Sequence, residues 1–377
     1  MTEYVSRVIS QTQIDWTGLK LRDVRFLSSF LAKKAYITLF QVKSRLKSLL
    51  LSFLPKTYKS FHPEELIVAI VSFLATHLDI PEDQVESIVQ RAPLLYKVYK
   101  IPKRSFGTRT IAQPTPELKK LQRAFLLTKP LPVHSAAMAY QPGLSIKKNA
   151  LHHLHNQYLL KLDLLNFFNS ITPDILWQEW KQHFGIPPPK EKKHIENLLF
   201  WAPQRKPNTH LMLSVGAPSS PNLSNFILYR FDERLQNLCK KLNITYTRYA
   251  DDLTFSTNTR YALFSIPEQV AMLLNELFTG RININKRKTI FTSKAHNRHV
   301  TGVGLSSENK LSLGRAKKRY LKHLVHQFTL SLLADEEISH LQGWLAHAKH
   351  IEPTFIESLT NKYGKDIIHK IFETNHD

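Results

Sequence analysis

A single cysteine, Cys239, stands in the 377 residues of this chain. It has no partner for an internal disulfide and is too little for a cysteine-based zinc site, so a reducing, cytoplasmic setting is the expectation. Long apolar runs are also missing. The most apolar stretch, Leu66 to Leu78 (LIVAIVSFLATHL), is too short to span a bilayer and reads as a buried helix. The opening MTEYVSRVIS lacks a basic region leading into an apolar one, so no secretory signal is visible. The 18 histidines are mostly scattered and none falls in an HExxH pattern. Internal repeats and low-complexity linkers are absent too. Acidic residues are scarce: 30 Asp and Glu against 52 Lys and Arg leave a formal charge of +22. Such an excess repels itself in a compact state and makes sense chiefly when a polyanion neutralises it. Nucleic acid is therefore the favoured partner, with an anionic membrane face a weaker option and no membrane partner expected. An apolar content of 42% excludes a largely disordered chain and suffices for one large core or several smaller ones.

The local patterns place the elements. Residues 1–60 read as loosely amphipathic helix, with Lys33, Lys34, Lys43, Arg45 and Lys47 among Leu and Phe. Residues 63–90 suggest two helices broken near Asp79-Ile80-Pro81. Tyr96 to Pro114 reads as a hairpin with a basic tip around Ser105–Thr108. Helices are predicted over Glu117–Thr128 and Asn149–His155, then a strand over Tyr158–Asp163. The middle section reads as alternating strand and helix, with a hairpin over Tyr246–Phe255 and a helix over Ile266–Phe278 capped at Gly280. Strand-like runs follow at Arg281–Ile284, Thr289–Thr292 and His299–Leu305. From Gly314 onward the pattern is helical: Arg315–Leu332, Glu336–His350, Pro353–Lys362 and Lys365–Phe372.

The sharpest chemical signal is Tyr249-Ala250-Asp251-Asp252, an acidic point within a basic chain. Side chains alternate along a strand, so both carboxylates serve one metal site only at a tight turn, or with one pointing in and the other supporting it. Nucleotidyl transfer needs such a point: two Mg²⁺ ions roughly 4 Å apart activate the attacking oxygen and stabilise the leaving pyrophosphate. Mg²⁺ takes hard oxygen ligands, few of them from protein. Asp-Asp at a hairpin is also ordinary turn chemistry. A second segment, Leu160-Lys-Leu-Asp163-Leu-Leu-Asn-Phe167-Phe168, ends a β-run in an Asp that can share a metal with another strand's carboxylates. An aromatic just after it can floor a sugar pocket.

Together these segments resemble the reverse transcriptase family, with Asp163 and Phe167-Phe168 as motif A and Tyr249–Asp252 as the palm signature. Between them, residues 213–225 match motif B, where Gly216 would let the backbone approach a base pair. The family commonly has Gln before that Gly; here it is Val215, so a usual nucleotide contact is missing or supplied elsewhere. Arg109-Thr-Ile-Ala-Gln-Pro114 looks like a fingers motif, implying that Arg109, helped by Lys103, contacts the incoming triphosphate. Asn283-Ile-Asn-Lys286-Arg-Lys288 looks like motif D, implying a lysine that protonates the pyrophosphate. Lys288 is preferred to Lys286, though either can be a steering charge. Phe168 would exclude a ribose 2′-OH.

Asn149-Ala-Leu-His-His153 and Val300-Thr301-Gly302 are similar to the retron signatures Asn-Ala-x-x-His and Val-Thr-Gly. The resemblance spans roughly residues 95–365 and implies an α+β right-hand polymerase. Its expected parts are an N-terminal helical extension (1–60), fingers (61–156), a palm with an antiparallel sheet and part of the fingers inserted (157–305), and a helical thumb (306–377). It implies that Asp163, Asp251 and Asp252 hold two Mg²⁺ ions and that Asn149, His153, Val300, Thr301, Gly302, Arg315 and Lys318 meet RNA. The implied partners are dNTPs, a cognate non-coding RNA and its RNA–DNA product, and a separate effector protein, in bacterial anti-phage defence. Priming would come from a guanosine 2′-hydroxyl. A group II intron or diversity-generating reverse transcriptase shares the aspartates. The same fold could also serve a non-catalytic RNA-binding scaffold or a template-independent polymerase.

Overall fold

The computed structural model describes residues 70–102, 107–128, 130–206 and 209–373. The expected extension over 1–60 and the hairpin-tip residue Lys103 lie outside them. The chain opens with α1 (Ile70–Leu78) and α2 (Glu82–Arg91), broken at Asp79 (φ 54°), with Pro81 before the acidic first turn of α2. Next, β1 (Tyr96–Pro102) and β2 (Thr108–Pro114) pair antiparallel, Tyr96 opposite Pro114, and α3 (Pro116–Thr128) follows. The next helix, α4 (Ile146–His152), starts earlier than its apolar pattern suggests, because the Ser145 side chain accepts from the Lys148 amide and caps it. It leads into β3 (Tyr158–Asp163).

The middle section departs from the predicted alternation. Between β3 and the next strand the elements among the described residues are helices, with one isolated bridge from Trp201 to Met212: α5 (Phe167–Ser170), α6 (Pro173–Phe184), α7 (Pro189–Leu199), α8 (Ser220–Ile227) and α9 (Tyr229–Lys241). Pro173, Pro189 and Pro221 sit in first turns, where a missing N–H costs nothing. Tertiary packing does the rest: Trp180 meets Phe226 edge-on and Phe184 stacks on Phe226 between α6 and α8, with Trp177 edge-on to Trp180. Then come β4 (Thr245–Tyr249), β5 (Asp252–Thr257), α10 (Ile266–Phe278), β6 (Ile290–Ser293), β7 (Arg298–Val300), β8 (Val303–Leu305) and β9 (Leu311–Ser312). Thr279 (φ 48°), not Gly280, takes the residue after α10. The expected strand over Arg281–Ile284 is reduced to one bridge, Ile284 to Leu164. Four helices close the chain: α11 (Arg315–Thr329), α12 (Asp335–Ile351), α13 (Pro353–Tyr363) and α14 (Lys365–Glu373).

The central sheet is antiparallel in the order β4-β5-β3-β6, and a smaller one runs β7-β8-β9. Side chains alternate along β3, and that splits the core. Leu160 and Leu162 join Leu253, Phe255, Phe226 and Phe231 in one buried cluster. Leu159 joins a second, with Val300 and Val303 of the small sheet and Leu321, Leu341 and Leu345 of α11 and α12. The same alternation gives β4 and β5 a polar face of Thr247, Thr254 and Ser256, buried like the apolar one.

Candidate active site

Three strand ends converge at one edge of the central sheet. Asp163, last in β3, stands opposite Asp252, first in β5, and Asp252 also pairs with Tyr249 of β4. Only Ala250 and Asp251 remain to make the turn. Ala250 lies in the left-handed region (φ 58°), where such turns normally take Gly, Asn or Asp. The Leu164 amide donates to the Asp251 carbonyl (3.0 Å), tying the turn to the end of β3. A tight turn is thus what brings Asp251 and Asp252 to one place.

The electrostatics are those of crowded carboxylates. Burial raises the Asp251 pKa, and the negative charge of Asp163 adds to it, against Lys288 and Arg109. Asp252 borders solvent, yet protein atoms around its carboxyl, then Asp251 and Asp163, push it up to about 6. Lys288 supplies the counter-charge: its Nζ is 2.7 Å from Asp163 Oδ2, and that bond raises its own pKa. Asn285, to which sequence reasoning gave no role, holds the same aspartate twice. Its amide donates to the Asp163 carbonyl (2.7 Å) and its Nδ2 to Oδ1 (3.0 Å). Lys286 makes no comparable contact with the site among the described residues.

A buried network stands behind the turn. Arg248 and Asp232 are fully buried and joined by Nε–Oδ1 (2.9 Å) and Nη2–Oδ2 (2.5 Å) bonds. Arg248 Nη1 donates to the Ala250 carbonyl and to Asn225 Oδ1, each at 3.1 Å. Tyr246 donates its hydroxyl to Asp232, and Asn225 reaches the Ala139 carbonyl (2.9 Å). This secures the segment carrying Tyr140, a half-exposed aromatic with φ 60° that feels the charges of Asp251 and Arg109. Sequence reasoning missed Asp232, Arg248 and Tyr140. The Arg directly before the Tyr-Ala-Asp-Asp signature was the available signal.

The remaining candidates are distributed around this edge. Arg109 is exposed on β2, near enough for its charge to act on Asp251. Val215 and Gly216 lie against β2: the Ala112 amide donates to the Val215 carbonyl (3.1 Å) and Ser214 donates to the Ala112 carbonyl. A Cβ on Gly216 (φ 131°) would meet the Ala112 oxygen at 3.0 Å, so the close approach it permits is to β2. Phe167 is buried on α5 and Phe168 half-buried beside it.

The expected RNA contacts fare differently. Asn149 and His153 are fully buried and spend their polar atoms on the polar face of the sheet. His153 bonds Thr247 and Ser256, both at 2.7 Å, and burial lowers its pKa to about 3, so it is neutral. Asn149 accepts from Thr247 (2.7 Å) and reaches Thr301 Oγ1 (3.5 Å). As folded here, neither side chain is open to RNA, because small hydroxyls on the sheet claim both. Val300 is buried too, whereas Thr301 and Gly302 form the turn between β7 and β8. Arg315 is exposed; Lys318 is ion-paired with Glu352.

Among the described residues no three His, Cys, Asp or Glu side chains already converge as a metal cage. No helix among them is long and apolar enough to cross a membrane.

A model of the reverse transcriptase (RNA-dependent DNA polymerase) family matches residues 101–305. The retron Ec83 reverse transcriptase of Escherichia coli is 48% identical over 278 residues, 73% of this chain and 89% of that one. The retron Mx65 reverse transcriptase of Myxococcus xanthus is 34% identical over 281 residues, 71% of this chain and 64% of that one. Among solved structures, telomerase from Candida albicans in complex with a fragment of telomeric RNA is similar with a TM-score of 0.41 and 12% identity. That similarity covers 73% of this chain and 59% of the telomerase chain. The family match and the 48% identical relative place this chain among the retron reverse transcriptases, as an RNA-directed DNA polymerase of right-hand fold.

Proposed function

We propose that this polymerase copies part of a cognate structured RNA into single-stranded DNA, using Mg²⁺ held by Asp163, Asp251 and Asp252. The observation that carries this is the register of Asp163 opposite Asp252, with Asp251 in the adjoining turn. The donor set fits the ion: hard carboxylate oxygens crowded enough to raise one another's pKa values, which a divalent cation relieves. When bound, two Mg²⁺ ions supply Lewis-acid chemistry, favouring the attacking alkoxide and neutralising charge on the leaving pyrophosphate. The protein's own part is positioning. Arg109, with Lys103, grips the triphosphate, and Phe168 floors the sugar and excludes a 2′-hydroxyl. The primer hydroxyl oxygen forms a bond to the α-phosphorus, its proton leaves to solvent, and the bond to pyrophosphate breaks. Lys288, released from Asp163, gives its proton to the departing pyrophosphate.

In this reading residues 61–156 are fingers, 157–305 palm and 306–377 thumb. The first primer is a guanosine 2′-hydroxyl of the RNA, so the DNA product stays RNA-linked. The setting is the bacterial cytoplasm, in anti-phage defence with a separate effector. Asn149 and His153 serve RNA indirectly, by fixing the Thr301 turn. The test is to purify the full-length chain from its native host and sequence the nucleic acid that survives RNase or DNase. An Asp251→Ala, Asp252→Ala control is treated alongside. One discrete DNA joined to RNA and missing from the control is the expected result. RNA without DNA in both samples overturns the reading, and so does heterogeneous DNA unrelated to the bound RNA.

A further inference from the structure

The outer strand of the central sheet, β6, carries an apolar surface that the active site does not use. Its four residues, Ile290-Phe-Thr-Ser293, hold no charge and no proline. Pairing with β3 occupies one side of it, and among the described residues no strand pairs with the other. Sheet edges are normally blunted by charge, proline or a bulge, because their outward N–H and C=O groups are a template for another strand. Here Ile290 and Phe291 are each 45% exposed on such an edge. Side chains alternate along a strand, so Phe291 shares the face of its partner Leu160 and Ile290 the opposite face.

The turn before α10 completes the patch. The Phe264 amide donates to the Tyr261 carbonyl (3.1 Å), and Tyr261 sits at φ 67°, in the left-handed region that aromatic residues seldom adopt. Both residues are 62% exposed. Phe264 meets Phe291 at 5.4 Å and Tyr261 at 5.7 Å, so the three rings form one contiguous surface. Their planes are inclined by 72° and 41°, which gives an uneven apolar relief and not the parallel faces on which successive bases stack.

The rim is basic. Arg260 lies over the Tyr261 ring, 4.7 Å from its centroid. Arg287 is exposed just before β6, and Lys294 directly follows it. Among the described residues no carboxylate pairs with any of these three cations. Two copies of this chain meeting along β6 would bring like charges together, whereas an acidic strand would neutralise them.

We infer that the β6 edge docks an extended, acidic segment of a partner protein. The segment's main chain pairs with β6, and its apolar side chains cover Tyr261, Phe264 and Phe291. Its carboxylates meet Arg260, Arg287 and Lys294. None of these side chains takes part in the copying reaction proposed above. The inference rests on that proposal only in taking a separate protein to accompany the polymerase.

The test uses the full-length chain and a fluorescein-labelled peptide in which Asp or Glu alternates with Phe or Val, read by fluorescence anisotropy at physiological salt. A Kd of about 10–100 μM is expected. Phe264→Ser and Tyr261→Ser are each expected to weaken binding about tenfold. Arg260→Gln combined with Arg287→Gln is expected to weaken it about fivefold and to flatten its salt dependence. Two further probes leave the protein unaltered, so their result does not depend on how a variant folds. One has alternate amides N-methylated, which removes the edge hydrogen bonds; the other has Lys in place of every acid. Both are expected to lose binding. Unchanged binding by Phe264→Ser overturns the inference, and so does binding of either altered peptide equal to that of the acidic one. A dimer in sedimentation of the unchanged chain that dissociates in Phe264→Ser assigns the edge to a second copy and overturns it. Binding of oligo(dT) that falls with Phe264→Ser as far as peptide binding does assigns the patch to nucleic acid and also overturns it. Extension of an oligo(dT) primer on poly(rA), measured on the unchanged protein, reads the polymerase proposal separately, so failure of one is distinguishable from failure of the other.

Discussion

Asp252 is poised by its neighbours to respond to protons, and through them to any cation that competes for its carboxylate. Its ordinary carboxylate value of 3.8 is raised to about 6 in the fold. A raised pKa means that the folded chain holds the proton more tightly than the unfolded one. This group's contribution to stability is therefore full below about 3.8 and is lost as pH rises through about 6. Two consequences are measurable. In thermal melts of metal-free protein, Asp252→Asn should flatten that part of the stability–pH curve. In primer extension, the rate at fixed Mg²⁺ should fall as pH drops below about 6, and added Mg²⁺ should restore it by competing with the proton. Lys288 is the complementary case, a cation whose pKa is raised chiefly by its bond to Asp163. Lys288→Ala should lower the single-turnover rate by about a hundredfold or more, with little change in nucleotide KM. Lys286→Ala should not. A rise in KM alone would reduce Lys288 to a steering charge.

At the level of elements, the turn bearing Asp251 and Asp252 is held from beneath. Arg248 spans α8, α9 and the β4–β5 turn through Asn225, Asp232 and the Ala250 carbonyl, by direct bonds. Removing one partner of a buried ion pair strands the other charge, at a cost of about 3–5 kcal/mol. Asp232→Leu alone should therefore melt roughly 10 °C lower in a domain of this size. Combining it with Arg248→Met should recover most of that loss, because both charges are then gone. Activity should stay low in the double variant, since Ala250 still lacks its donor and the turn bearing Asp251 is no longer fixed. Recovery of both together would make the pair a stability element with no bearing on the site.

For the whole molecule, the decisive property is a formal charge of +22, and several of the described surface carboxylates are already taken up by cations. Glu352 is taken up by Lys318, Glu276 by Arg234 and Asp174 by Arg281. A protein neutralising six to ten phosphates loses about 10³- to 10⁵-fold in affinity between 50 and 200 mM salt. Binding of the copurifying RNA should fall within that range. Arg315→Gln should reduce the slope by about one, and Lys318→Gln by less, because Glu352 already occupies that cation. Filter binding across a salt series checks both.

The sequence by itself determined the chemistry. A carboxylate pair at a hairpin, a third at a strand end and a strong positive charge are local or additive properties, legible without coordinates. The strand over Tyr158–Asp163 and the helix over Ile266–Phe278 were legible as well, because their apolar periods are unambiguous. Tertiary structure decided what each side chain is free to do. Among the helices between β3 and β4, α6 and α8 are joined by aromatic packing, which no local period reports. Asn149 and His153 resemble RNA-contacting residues in the chain, yet the hydroxyl face of the sheet takes their polar atoms inside. Likewise Arg248, one residue before the signature, gained its meaning only when α9 brought Asp232 against it. Hydrogen bonds between residues far apart in the chain leave no periodic trace in the sequence, and those bonds fix the geometry of this site.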